Sequence, residues 1–79
     1  MDRALLLKQL QEACDLEEKF ISNFDAFLKE HVSDNPHFTD DQRDFVEERI
    51  VRLVVDSKRH LEAFQSMIEK INKDKYLVL

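Results

Sequence analysis

The sequence predicts an all-α protein: an antiparallel two-helix hairpin that dimerises into a four-helix bundle. No glycine and one proline in 79 residues leave few places for tight turns. Apolar residues recur at spacings of three and four in two long stretches, which is typical of amphipathic helices. One loop-like segment separates these stretches. A chain of this length rarely holds two domains, so we expect residues 1–79 to form one.

The first helix is expected over about residues 2–32, with Asp2 as its N-cap. Its predicted core stripe contains one carboxylate, Glu17, where an apolar residue would continue the pattern. The last step of the stripe falls on His31. The apolar members of the stripe are Leu6, Leu10, Ala13, Phe20, Phe24 and Phe27, with a flanking row of Leu7, Cys14, Ile21 and Leu28.

The loop is expected over residues 33–38, because Pro36 disfavours helix at Asn35. Serine, aspartate and asparagine in this segment compete for backbone hydrogen bonds, which also favours a loop. The sequence therefore places the only obvious chain reversal here.

Thr39 followed by Gln42 is typical of a capping box, so a second helix is expected over about residues 40–73. Two polar residues, Ser57 and His60, interrupt its stripe. The apolar members of this stripe are Val46, Ile50, Leu53, Phe64, Met67 and Ile71.

Both helices carry more apolar residues than one partner helix can cover. The second helix is apolar around most of its circumference between residues 50 and 55, and the first has a similar excess between residues 5 and 16. Apolar surface left bare on a hairpin is better buried against a second copy. We therefore expect a homodimer.

Charge and composition exclude several other classes. A formal net charge of −5 argues against a nucleic-acid partner, because phosphate binding needs clustered lysine and arginine. The sequence has no apolar run of the roughly 18 residues needed to span a membrane, and residues 4–7 are too few for a signal peptide. A single cysteine forms no internal disulfide. We expect a cytoplasmic protein.

The last residues, 74–79, change in character. A charged spacer leads to the apolar run Tyr76, Leu77, Val78 and Leu79. This tail is expected to extend the second helix, to dock on the bundle or to bind a protein partner.

Three polar residues are expected at a similar depth in an antiparallel hairpin. Glu17 falls at about the level of Val54, close to Ser57 and within two turns of His60. A carboxylate buried alone is costly, so Glu17 should have a partner, bind a metal or lie at a solvated seam.

These residues resemble the ligand pattern of ferritin-like and rubrerythrin-like proteins, in which one helix carries an inward Glu and the next carries Glu-x-x-His. Glu17 is similar to the first element, and the segment from Asp56 to His60 is similar to the second. The bridging Glu of that family is replaced by Ser57. The resemblance implies a four-helix bundle and a site for iron or another divalent metal, with Glu17 and His60 as ligands and Asp56 as a substitute ligand.

The same residues have structural interpretations. For His60, an interior histidine hydrogen-bonded to Glu17 is favoured over a metal ligand, and Ser57 is explained by close helix packing. The favoured function is a non-catalytic, self-associating interaction or structural module without a cofactor. One alternative is a degenerate ferritin-like metal-binding protein with a site built by the dimer. Another is a small regulatory protein that binds a partner helix.

Overall fold

The computed structural model describes residues 2–73, and the predicted tail lies outside the described residues. The described chain is all-helical, which confirms the fold class at this level. Helix α1 covers Arg3–Phe27 and continues without a break into a π-helical turn, Leu28–Val32. Helix α2 covers Asp40–Lys73.

Both α-helices begin at the predicted caps. The carboxylate of Asp2 accepts a hydrogen bond from the Ala4 amide at 3.1 Å. At the start of α2, the Gln42 amide donates to the Thr39 hydroxyl at 3.2 Å, and the Thr39 amide donates to the Gln42 side chain at 3.0 Å. This reciprocal pair is the predicted capping box, which satisfies two amides that the helix itself leaves unpaired.

The two helices contact each other along their length. The Arg3 guanidinium, at the start of α1, donates to the Ile71 carbonyl near the end of α2. Toward the loop, Val32 packs in one cluster with Ile50 and Val54. The described chain extends 57 Å in one direction and only 16 and 15 Å in the others, a cross-section that accommodates two helices side by side.

The residues between the helices, which we call the seam, repeat with alternating steps of three and four. This seven-residue period keeps one stripe of each helix against its neighbour, as in coiled coils. All of these residues are buried or partly buried. The seam consists of Leu7, Leu10, Cys14, Glu17, Ile21, Phe24 and Leu28 of α1 and its π-helical turn, and Ile50, Val54, Ser57, Leu61, Phe64, Ile68 and Ile71 of α2.

The predicted stripe is wrong at three of its eight positions on α2. Leu53 and Met67 are each 49% exposed, and His60 is exposed as well. The residues that lie between the helices instead are each one position further along the chain. Those residues are Val54, Leu61 and Ile68.

The stripe predicted on α1 needs the same correction. Phe20 and Phe27 are 43% and 46% exposed, and the row expected to flank the stripe supplies Cys14, Ile21 and Leu28 to the seam. Residues spaced seven apart lie in one column along a helix, and both helices carry apolar residues in three adjacent columns. Spacing alone therefore did not show which two columns face the neighbouring helix.

The π-helical turn corrects the expected last step at His31. The Ser33 amide donates to the Leu28 carbonyl at 2.9 Å, a bond that spans five residues instead of four. This wider turn contains one extra residue, so the next inward position falls on Val32. Val32 is completely buried, whereas His31 is exposed.

Candidate functional site

The seam divides the surface of the helix pair into two flanks. On one side, a groove is lined by Phe20 and Phe24 of α1 and by Leu53 and His60 of α2. Leu6 and Met67 line a second groove nearer the end of the pair. Seven-residue spacing places further residues in the same column of each helix as Phe20 and Leu53. We call it the apolar flank; it comprises Leu6, Ala13, Phe20 and Phe27 of α1 and Val46, Leu53, His60 and Met67 of α2.

The opposite side has a different composition. A groove there is lined by Gln11 and Glu18 of α1 and by Gln65 and Asn72 of α2. The same seven-residue spacing gives one large apolar side chain in this column, Val51. We call this side the polar flank; it comprises Ala4, Gln11, Glu18 and Asp25 of α1 and Asp44, Val51, Lys58, Gln65 and Asn72 of α2.

One polar contact lies within the groove of the apolar flank. The Nδ1 atom of His60 is 3.2 Å from the Oε1 atom of Glu17, within hydrogen-bonding distance. Glu17 belongs to the seam and its side chain is only 15% exposed, whereas the His60 side chain is 62% exposed. The structure therefore brings these two predicted residues together, but at the edge of the helix pair instead of in its interior.

The other predicted polar residues lie close by. Ser57 is buried in the seam, as its position in the predicted stripe required. A hydroxyl at this position is small enough to let α1 and α2 approach closely. Asp56 lines the same groove as Glu17 and His60.

The predicted metal ligands Glu17 and His60 form a pair within one chain. Across residues 2–73, no three His, Cys, Asp or Glu side chains are grouped so that they could hold a metal ion. Protein metal centres such as zinc sites commonly use three or four protein ligands. A centre of that kind would therefore need further ligands from a second copy.

Cys14 lies in the seam and is 2% exposed. Burial raises the pKa of its thiol, and the neighbouring carboxylates of Asp15 and Glu18 raise it further. Since the thiolate is the nucleophilic form, these surroundings suppress its reactivity. The structure thus assigns Cys14 the properties of a small buried residue.

A second polar cluster stabilises the loop, and it was not predicted from the sequence. The Arg43 guanidinium donates to the Val32 carbonyl at 3.3 Å and to the Asn35 carbonyl at 2.9 Å. It also contacts the Phe38 carbonyl at 3.5 Å. An arginine one turn into a helix after a proline-containing loop is a weak signal, but its five donors suit such an array of carbonyls.

Comparisons with protein-family models, curated proteins and solved structures found no match for this chain. Neither α1 nor α2 is long and apolar enough to cross a membrane. The candidate site therefore depends on the geometry of the described residues, in which the apolar flank is the most distinctive feature.

Proposed function

We propose that this protein is a non-catalytic, self-associating helical module. In this proposal the chain is an antiparallel hairpin, and its apolar flank packs on the same flank of a second copy to form a four-helix bundle. One observation carries the proposal: Phe20, Phe27, Leu53 and Met67 lie on a single flank and each remains 43–49% exposed.

The interior of one helix pair is small, which favours burial of further apolar surface by association. Within residues 2–73, only five apolar residues are buried: Cys14, Val32, Ile50, Val54 and Ile71. Chains of this size usually require additional stabilisation, from disulfides, metals or association. Burial of apolar surface contributes about 25 cal/mol per Å², so covering the apolar flank would stabilise this chain further.

The dimensions of the flank favour a second copy as the occupant. From Leu6 to Phe27 the apolar flank runs about 31 Å along α1. Residues 74–79 span at most about 20 Å even when fully extended, so this segment alone leaves about a third of the flank uncovered. A second copy has the matching length and an equally apolar surface.

The composition of the flank also suits self-association. Between Leu6 and Phe27 of α1, and between Val46 and Met67 of α2, the apolar flank has one titratable group, His60. The adjoining seam column adds only Glu17, which is the hydrogen-bonding partner of His60. Asp56 and Lys70 also line the grooves of this flank. Two such surfaces would therefore meet with an apolar centre and charged residues beside it, as is common in protein interfaces.

A matched pair of substitutions tests the proposal. Leu53 and Val51 are 49% and 51% exposed on the same helix, but Leu53 is on the apolar flank and Val51 on the polar flank. We expect sedimentation equilibrium to give a dimer for the native chain and for Val51→Glu, and a monomer for Leu53→Glu. Circular dichroism checks that all three proteins remain helical.

Two other results would contradict or refine the proposal. A helical monomer in the native chain at micromolar concentration would contradict self-association and favour a helix of another protein on the apolar flank. Deletion of residues 76–79 separates the remaining roles of the tail: an unchanged dimer leaves Tyr76–Leu79 for a partner, whereas a weakened dimer indicates that the tail docks.

Metal binding remains the alternative from a different class, and a second copy would have to complete its ligand set. Elemental analysis of the purified protein, followed by titration with Fe(II) or Zn(II), tests it. Stoichiometric metal that is lost in His60→Ala would support that alternative. We further propose a cytoplasmic location, since a single buried thiol suits a reducing compartment.

A further inference from the structure

We propose that the Glu17–His60 pairs of two copies meet at the centre of the dimer interface. There they form one polar layer of four side chains that fixes the register of the two hairpins. This inference rests on the proposed function, because it requires the apolar flanks of two copies to face each other. It adds which residues select the correct alignment.

The pair lies at the middle of the α1 side of the apolar flank; on α2, His60 is 14 residues from Val46 and 7 residues from Met67, about 5 Å from the middle of that side. Along α1, Glu17 is 11 residues from Leu6 at one end of the flank and 10 residues from Phe27 at the other. With a rise of 1.5 Å per residue, these separations are about 16 and about 15 Å. His60 is at the same level, since its Nδ1 atom is 3.2 Å from the Glu17 carboxylate.

Two-fold symmetry then brings the two pairs together. Homodimers are nearly always two-fold symmetric, and an axis through the centre of a flank gives the greatest overlap of the two copies. The axis then lies in the interface, between the two facing flanks, and runs along the helices or across them. In each of these orientations, the centre of one flank lies opposite the centre of the other, so Glu17 and His60 face the partner's Glu17 and the partner's His60.

The chemistry of the pair suits this meeting. Within residues 2–73, its only hydrogen bond is the internal one, between Nδ1 of His60 and Oε1 of Glu17. The Nε2 atom of His60 and the Oε2 atom of Glu17 would be covered when a second flank packs on this one, and buried polar atoms need partners. A protonated His60, with N–H groups at both nitrogens, donates to Glu17 of its own chain and to the partner's Glu17.

Carboxylates from both helices surround His60. From α1, Glu17 is the charged residue of the groove that holds His60, and from α2 it is Asp56, one turn before His60. When both His60 side chains carry a proton on each ring nitrogen, their charges offset those of the two Glu17 carboxylates in the layer. Asp56 adds a further carboxylate at the rim of the groove.

A polar layer in an apolar interface selects one alignment. Sliding the copies by one helical turn, about 5.4 Å, would place each pair against phenylalanine or leucine side chains. Its polar atoms would then be buried without partners, which is strongly unfavourable. Single buried polar residues fix register and oligomeric state in coiled coils by the same effect.

A charge-exchange experiment tests whether the pairs meet between chains. One chain carries Glu17→Lys, and a second chain carries His60→Glu. Each alone would form a layer with like charges, and we expect its self-association to weaken at least about tenfold. When the two chains are mixed, opposite charges face each other across the interface. We expect a heterodimer that regains most of the native affinity, measured by sedimentation with one chain fluorescently labelled.

The polar flank provides a matched control. Glu18→Lys and Gln65→Glu introduce similar charges into the groove on the other side of the seam. Alone or mixed, these variants should self-associate like the native chain.

Each outcome separates this inference from the proposed function. A native dimer with no recovery on mixing would overturn the polar layer and leave self-association intact. Undiminished association of either single variant would do the same. A native monomer would overturn both. If a single variant fails to fold, recovery of helicity only on mixing supports the layer, and its absence refutes it.

Discussion

The apolar flank and the polar flank border the same seam, on the same two helices, and differ in what they leave exposed. The apolar flank carries Phe20, Phe27, Leu53 and Met67, each nearly half exposed. The polar flank carries glutamines, carboxylates and a lysine, with Val51 as its one large apolar side chain. The seam borders both flanks alike, so this asymmetry supports the proposed packing of a second copy on one side.

The largest effect is expected from removing the apolar side chains of α1. We expect Phe20→Ser combined with Phe27→Ser to raise the dimer Kd at least about 100-fold, because buried aromatic side chains dominate interface energies. Sedimentation velocity over a range of concentrations measures it. The control is Glu18→Ser with Asp25→Ser on the polar flank, and an equal loss of affinity there would remove the distinction between the flanks.

The next prediction tests which column forms the seam. Val54 is 7% exposed in the seam, whereas the adjacent Val55 is 42% exposed. We expect Val54→Ala to lower the free energy of unfolding by about 2 kcal/mol, through lost burial and an unfilled cavity. Val55→Ala should change it by less than about 0.5 kcal/mol. Urea denaturation at one fixed protein concentration measures both, and equal effects would contradict the assigned seam.

Cys14 reports on the seam chemically. Burial and the nearby carboxylates raise the pKa of its thiol, so less thiolate is present at a given pH. We expect iodoacetamide at pH 8 to alkylate it at least about tenfold more slowly than in urea. As a comparison, Phe20→Cys in a Cys14→Ser background places the thiol on the apolar flank, where dilution below the dimer Kd should speed alkylation. Rapid alkylation of native Cys14 would show that the seam opens readily.

The smallest effect is expected at the loop that joins the helices. Arg43→Lys keeps the charge but loses most of the hydrogen bonds to three carbonyls. We expect a loss of about 1 kcal/mol in thermal denaturation. Arg52→Lys is the control, because Arg52 is exposed and pairs only with Glu48 at 2.8 Å. That change should fall within about 0.5 kcal/mol.

Local signals in the sequence were reliable. Asp2, Thr39 and Gln42 make the predicted capping bonds, since these contacts depend on residues within three positions of each other. The i,i+4 pair of Glu69 and Lys73 is likewise local, with its atoms 2.6 Å apart. Short-range hydrogen bonding therefore locates the helix starts without knowledge of the fold.

The facing of the helices was harder to predict. Apolar residues fill three adjacent columns on each helix, and periodicity fits any two neighbouring columns equally well. The stripe predicted on α2 contained Leu53 and His60, whereas Val54 and Leu61 lie in the seam. Glu17 and Ser57 were placed correctly, because their column belongs both to the predicted stripe and to the observed seam. The Glu17–His60 contact was thus found from the sequence, but not its exposure.

The π-helical turn at Leu28–Val32 changes which side chains of α1 face α2. One residue beyond the α-helical number turns the chain through about a further 100° without interrupting the axis. Val32 instead of His31 therefore faces Ile50 and Val54 at the loop end. A deletion of one residue between Leu28 and Val32 would place Val32 three residues after Leu28, so that a regular α-helix would still direct Val32 inward. The π-helical turn thus offsets one extra residue at the end of α1 nearest the loop.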